Sequence, residues 1–259
     1  MVITRSSEKS AAVIIAHPDD ETLWAGGKIL SHPEWKWFIV CLCRRNDEDR
    51  SLRFYNALKI LNSEGIMGDL DDGPAPKPLQ QNEVEDAILK LLPAKHFDLI
   101  ISHNPAGEYT RHLRHEEAGR AVINLWNTGK ISTSELWTFA YTDSNKKHYP
   151  VAVENASIRQ TLSKRIWMRK YRIITKTYGF EKGGFEAETT PRLESFWQYT
   201  DFIVPERWLN LSARIDDSCS SFCIAGSFSI NDGFSLMVLS KAMTSPALLH
   251  LDFASSTCN

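Results

Sequence analysis

Three short, mainly apolar runs limit most strongly how this chain can fold. They are residues 11–16 (AAVIIA), 37–43 (WFIVCLC) and 97–102 (FDLIIS), each bounded by polar or turn-forming residues. Runs of this length, rich in β-branched residues and without polar alternation, are strands buried on both faces, the pattern of a parallel sheet. Between them lie stretches with helical signals. Residues 22–30 end at Ser31-His32-Pro33, and residues 49–61 place Leu52, Tyr55, Leu58 and Leu61 at helical spacing. Residues 82–92 are closed by Pro93, residues 115–126 give another helix, residues 135–141 a further strand, and residues 159–171 a last helix. The Gly/Asp/Pro-rich stretch 68–78 reads as a surface loop. Strands alternating with helices predict an α/β fold: a Rossmann-like, mostly parallel sheet with helices on both faces. Ligands of such sheets bind beyond the carboxyl ends of the strands. Residues 1–208 are expected to form this domain. Residues 209–259, Ser-rich and weakly periodic, are a C-terminal segment to which no element is assigned.

Composition narrows the function classes. The net charge of −2, with no long block of like charge, gives no basic stripe for counterion release, so nucleic acid is not an expected partner. No run approaches the roughly 20 apolar residues of a membrane span. The first apolar run is too short for a signal-peptide core, and the five cysteines are an odd number, two of them (Cys41 and Cys43) inside a buried strand. A cytoplasmic protein with reduced thiols is expected. A homo-oligomer is left open.

The chemistry gathers at two places. Directly after the first strand stands Ala16-His17-Pro18-Asp19-Asp20-Glu21. His17 and Asp20 are three apart, so a turn or first helical step can aim both at one point, and imidazole with carboxylate suits zinc and its neighbours. Asp19 cannot point the same way and is free for another role. As a lone acid it would more simply cap the following helix. After the third strand comes a polar loop from His103 through Gly107-Glu108-Tyr109 to His112-Leu113-Arg114-His115, where a helix opens. His115 is a candidate third ligand, and His112 a candidate to face a substrate.

Together these residues resemble the PIG-L/LmbE family of zinc-dependent N-acetylglucosaminyl deacetylases. His17–Glu21 match its His-Pro-Asp-Asp-Glu motif fully. Its His-Pro-Asp-His motif is represented by His112-Leu113-Arg114-His115, with both histidines kept and the central pair replaced. The resemblance spans roughly residues 11–205. It implies that His17, Asp20 and His115 bind Zn²⁺, with another divalent transition metal an alternative. It implies that Asp19 is the general base toward a metal-activated water, and that His112, as a histidinium, stabilises the oxyanion or donates a proton. Arg50 and Asp72 occupy the places of substrate contacts, and Tyr109 accompanies them. The implied reaction removes the N-acetyl group from an N-acetylglucosamine-type amino sugar or its conjugate, a small-molecule substrate. An amidase acting on a non-sugar amide and an inactive α/β binding domain are the alternatives. Against the binding domain stands the absence of a Gly-rich phosphate loop after the first strand, where two acids sit instead.

Overall fold

The computed structural model describes residues 9–109 and 112–200; the segment 209–259 lies outside the described residues. The first strand, β1 (Ser10–Ile15), shows why the sheet is covered on both faces. Its alternate residues enter two different cores: Ala11, Val13 and Ile15 one, Ala12 and Ile14 the other. The first core is completed by helices α1 (Asp20–Ser31) and α2 (Glu48–Leu61), the second by α3 (Gln81–Leu91) and α4 (Leu113–Asn127).

The remaining strands are β2 (Lys36–Cys43), β3 (Glu64–Leu70), β4 (His96–Ser102), β5 (Ser132–Phe139), β6 (Tyr141–Thr142), β7 (Val151–Ala152), β8 (Ile158–Thr161) and β9 (Leu193–Tyr199). Seven of them form one sheet in the order β3-β2-β1-β4-β5-β9-β8. Its first five strands run parallel, and β9 and β8 close the edge antiparallel. The fold is thus a mostly parallel, Rossmann-like α/β sheet. Its strand order reverses between β1 and β4, the switch point where such folds open a crevice.

Several sequence expectations are corrected. In α2 the buried face is Phe54, Ala57, Leu58 and Leu61, while Leu52 and Tyr55 are exposed. Steps of three fall short of a 3.6-residue turn, so from Leu52 to Leu61 the drift reaches the opposite side of the helix. The expected helix over 159–171 is instead strand β8 followed by α5 (Lys164–Arg172), which starts where the Ser163 side chain accepts the Ile166 N–H. A π-helical turn, Ile173–Thr177, and a short helix, α6 (Phe185–Thr189), follow. The start of the expected 68–78 loop belongs to β3, and the expected strand over 135–141 divides into β5 and β6. Among the described residues, no helix is long and apolar enough to cross a membrane.

Candidate metal centre and its cleft

His17 leaves the carboxyl end of β1, and His103 the carboxyl end of the adjacent β4. One close fit brings α4 onto them. A Cβ at Gly119 would lie 2.6 Å from the His103 carbonyl oxygen, so only glycine lets the helix press onto the strand end. One turn earlier, His115 then meets the loop after β1.

Three donor atoms converge there. His17 Nδ1 lies 3.2 Å from His115 Nε2, and Asp20 Oδ2 lies 3.3 Å from each. Tetrahedral coordination at about 2.0–2.1 Å from a zinc-sized ion sets ligand atoms roughly 3.3 Å apart, so the triangle already has the required edges. The donor set fits as well. His115 gives its Nδ1 proton to Glu108 Oε2 at 2.6 Å, which leaves the Nε2 lone pair facing the other two atoms. Asp20 is held from behind, where Trp24 Nε1 donates to its Oδ1 at 3.1 Å. Burial opposes charge on Asp20, but the His115 and His103 rings outweigh it and hold the carboxyl well below its ordinary value. The donors of His17, His112 and His115 also lie within 4.8 Å of one another, as do those of Asp20, His103 and His115. The tight triangle nevertheless belongs to His17, Asp20 and His115.

The supporting residues are ones that sequence reasoning had not assigned. Glu108, fully buried, also accepts from His103 Nδ1 at 3.0 Å, and His103 Nε2 lies 3.0 Å from the Ala16 nitrogen. Burial opposes charge on His103, but Glu108 and Asp20 outweigh it and lift the ring to about 9. Burial raises Glu108, but His103 and His115 prevail and pull it from 4.5 down to about 2. Its contribution to stability is therefore complete above the ordinary glutamate range and is lost as the pH falls toward about 2. In an acid titration of the metal-free protein followed by circular dichroism, Glu108→Gln should flatten that part of the curve. An unchanged curve would count against the charge assigned to Glu108.

Asp72 supports His17 in a looser way. Its Oδ1 approaches His17 Nε2 to 3.3 Å, out of line for a hydrogen bond, while Oδ2 takes the Arg44 guanidinium at 2.8–2.9 Å. The loop carrying Asp72 is strapped down by Arg114, one of the residues that replace the motif's Pro-Asp. Arg114, nearly buried, donates to the Asp71 and Lys77 carbonyls and pairs with Glu117, whose Oε1 accepts the Leu79 N–H.

Asp19 stands beside the triangle with a backbone φ of 124°, rare for a residue with a side chain. Glu21 holds that conformation. Its Oε2 accepts the Asp19 N–H at 3.1 Å, and its Oε1 is fixed by Thr22 and by the Tyr178 hydroxyl at 2.5 and 2.7 Å. Arg50, from the first turn of α2, donates to Asp19 Oδ1 at 2.8 Å and to the Pro18 carbonyl. Burial raises the Asp19 carboxyl well above its ordinary value, helped by Asp20 and opposed by Arg50.

His112 is the N-cap residue of α4. Its ring stacks on His115 at 4.2 Å and meets His17 edge-on at 4.6 Å, and its buried Nδ1 has no partner. Burial, His115 and His17 push it down to about 3, a direction that favours the neutral ring. A neutral ring can still donate one N–H.

These residues open onto a cleft of about 670 Å³. Of the expected site residues, His17, Asp19, Asp20, Arg50, Asp72, Tyr109 and His112 line it, while His115 lies fully buried behind them. Tyr109 leans edge-on against His112 and His115. Arg50 and Asp72, expected at the substrate, thus have Asp19, and Arg44 with His17, as their nearest partners.

Known proteins resemble this chain in sequence or in fold. Residues 12–126 match the PIG-L family model, described as GlcNAc-PI de-N-acetylase. An uncharacterized protein of Acanthamoeba polyphaga mimivirus is 22% identical over 184 residues, covering 65% of this chain and 75% of that protein. Among solved structures, the N,N'-diacetylchitobiose deacetylase of Pyrococcus horikoshii superposes with a TM-score of 0.57 at 16% identity, covering 75% of this chain and 85% of its own. The 4-carboxy-2-hydroxymuconate hydratase of Pseudomonas putida gives 0.53 at 15% identity, covering 76% and 98%. At these identities the likeness shows the fold alone, and the two solved proteins run different reactions on it. The motif after β1, the matched residues and the fold agree: residues 12–126 are similar to the PIG-L family.

Proposed function

We propose that this chain is a metal-dependent hydrolase that removes the N-acetyl group from an N-acetylglucosamine-type amino sugar or its conjugate. The observation that carries the reading is the triangle of His17, Asp20 and His115 donor atoms, 3.2–3.3 Å on each side, at the floor of an open cleft. These three residues would hold Zn²⁺ or another divalent transition metal. Such an ion supplies Lewis acidity, polarising an amide carbonyl and acidifying a water.

The chain's own residues do the rest. Asp19, its carboxyl raised by burial, takes a proton from the attacking water and returns it to the leaving amine. Arg50 holds that carboxylate in one orientation. His112 offers an N–H to the amide oxygen as negative charge develops there, a role open to a neutral imidazole. Glu108 and Trp24 keep His115 and Asp20 aimed at the centre. Tyr109 forms a wall for the sugar.

The test is metal content measured alongside acetate release from a panel of N-acetyl sugars and simple amides. His115→Ala should lose the metal. His112→Ala should keep it and lose turnover by about 10²–10³, as for a missing oxyanion donor. Release from simple amides alone would turn the reading into a non-sugar amidase. A protein that binds no divalent metal under any loading condition would overturn it.

A further inference from the structure

One short segment reaches Asp19 from two sides. The π-helical turn Ile173–Thr177 ends at Tyr178, whose N–H donates to the Ile173 carbonyl at 2.9 Å, and the Phe180 N–H returns to the Ile174 carbonyl at 3.2 Å. Turns of this kind are rare and are often found at functional sites. Between the two aromatics Gly179 takes a φ of 80°, a left-handed conformation that suits glycine. Arg53 of α2 donates to the Tyr178 carbonyl and anchors the bend. Tyr178 is buried, and its hydroxyl donates to Glu21 Oε1 at 2.7 Å; the other oxygen of that carboxylate accepts the Asp19 N–H. Phe180 is half-buried. Its ring lies 5.3 Å from the guanidinium of Arg50, within cation–π range, and Arg50 is the side chain that donates to Asp19 Oδ1.

We propose that Tyr178 and Phe180 are positioning residues for Asp19, one acting on its backbone and the other on its carboxylate; the inference rests on the general-base reading above. A base must meet the proton it takes along one direction, and two rotations decide where this carboxylate points. The first is the backbone angle of 124°, outside the regions that residues with side chains favour, so it persists only while something holds it. Glu21 holds it, but only as long as its own carboxylate is fixed. Thr22, which also donates to Glu21 Oε1, is the next residue of the same helix and moves with it. Tyr178 ties that carboxylate to a separate element. The second rotation, of the Asp19 side chain, is set by Arg50, a long and flexible chain that the Phe180 ring restrains. Both effects fall on the direction of the base and not on the ligand triangle. Tyr178 and Phe180 also lie beyond residues 12–126, so the stretch that matches the family model carries the base without the segment that aims it.

Two measurements on the full chain test this. In the first, acetate release from N-acetylglucosamine is followed with the Zn²⁺-loaded protein. Tyr178→Phe, which removes only the hydroxyl, and Phe180→Leu, which removes only the ring, should each lower kcat about 10–100-fold, with KM and metal stoichiometry unchanged. Phe180→Tyr, which keeps the ring over Arg50, should retain kcat. A loss that appears in KM or in bound metal, an unchanged kcat in both variants, or a Phe180→Tyr protein as impaired as Phe180→Leu would each overturn the assignment. The second measurement needs neither metal nor turnover. In the metal-free protein, amide hydrogen exchange read by NMR should be slow at the Asp19 N–H, and Tyr178→Phe should speed it at least tenfold while the amides of β1 keep their wild-type rates. Exchange at Asp19 that Tyr178→Phe leaves unchanged would overturn the role of Tyr178. A wild type that releases no acetate, together with the expected change in exchange, would count against the deacetylase reading and support the hold of Tyr178 on Asp19.

Discussion

Asp19→Asn is expected to retain a full complement of metal and to lose turnover by about 10²–10⁴, the usual cost of removing a general base. The carboxamide keeps the shape of the side chain and can still accept the Arg50 hydrogen bond, now 2.8 Å long, but cannot accept a proton. The backbone makes asparagine the right replacement. Asp19 sits at φ 124°, and among residues with a side chain asparagine and aspartate adopt positive φ most readily. Asp19→Ala would combine lost chemistry with added strain at the junction that aims His17 and Asp20. Alanine should therefore lower the melting temperature where asparagine leaves it near wild type. Metal stoichiometry, acetate release and thermal unfolding of the two variants check this together. Near-normal turnover in a metal-replete Asp19→Asn protein would exclude the role.

Lys170→Met should destabilise the fold by about 3–5 kcal/mol, the range for breaking a buried ion pair by removing one partner. Lys170 in α5 and Glu194 in β9 are both fully buried, 2.6 Å apart. The lysine also donates to the Pro191 carbonyl, and the carboxylate accepts the Gly27 and Lys28 N–H groups of α1 at 2.7 Å each. Burial presses the lysine below its ordinary value, and Glu194 opposes that shift. Without the ammonium, the carboxylate stays in the interior with only two amide donors. Lys170→Met combined with Glu194→Gln should be less destabilised than Lys170→Met alone, because no uncompensated charge remains. Denaturant unfolding at neutral pH measures both, and a double variant no better than the single one would refute the ion-pair account.

The parallel half of the sheet was legible because β1, β2 and β4 are largely buried on both faces and read as apolar runs, interrupted within β4 by Asp98. β3 was not, because Glu64-Gly65-Ile66-Met67-Gly68 has neither a run nor clean alternation. Its glycines are needed where the strand crowds β2, and a Cβ at Gly65 would meet the Ile39 carbonyl oxygen at 2.5 Å. β8 and β9 escaped notice because they form an antiparallel edge with mixed residues, and Arg159 and Gln160 carry no strand signal. At the site, the residues of both motifs were found from spacing and chain position. Glu108 was quoted only as part of a motif-like stretch, and its role depends on a loop that folds it back between two histidines. A carboxylate five residues after a histidine that ends a buried strand was the available clue. Lys170 and Glu194 gave none, since their meeting is purely tertiary.

The contact between Glu194 and α1 bears on how the chain could be divided. A Cβ at Gly27 would lie 2.8 Å from the Glu194 carboxyl carbon and closer still to Leu162, so the helix has given up side chains there to let the far edge of the sheet grip its backbone. That same helix begins at Asp20. The motif-bearing stretch that ends at residue 126 is consequently not a portable cassette. Transplanted or expressed without β9, it would carry the three residues proposed above to hold the metal beside a helix cut loose from its mooring, and ion affinity should fall although none of the three had been altered.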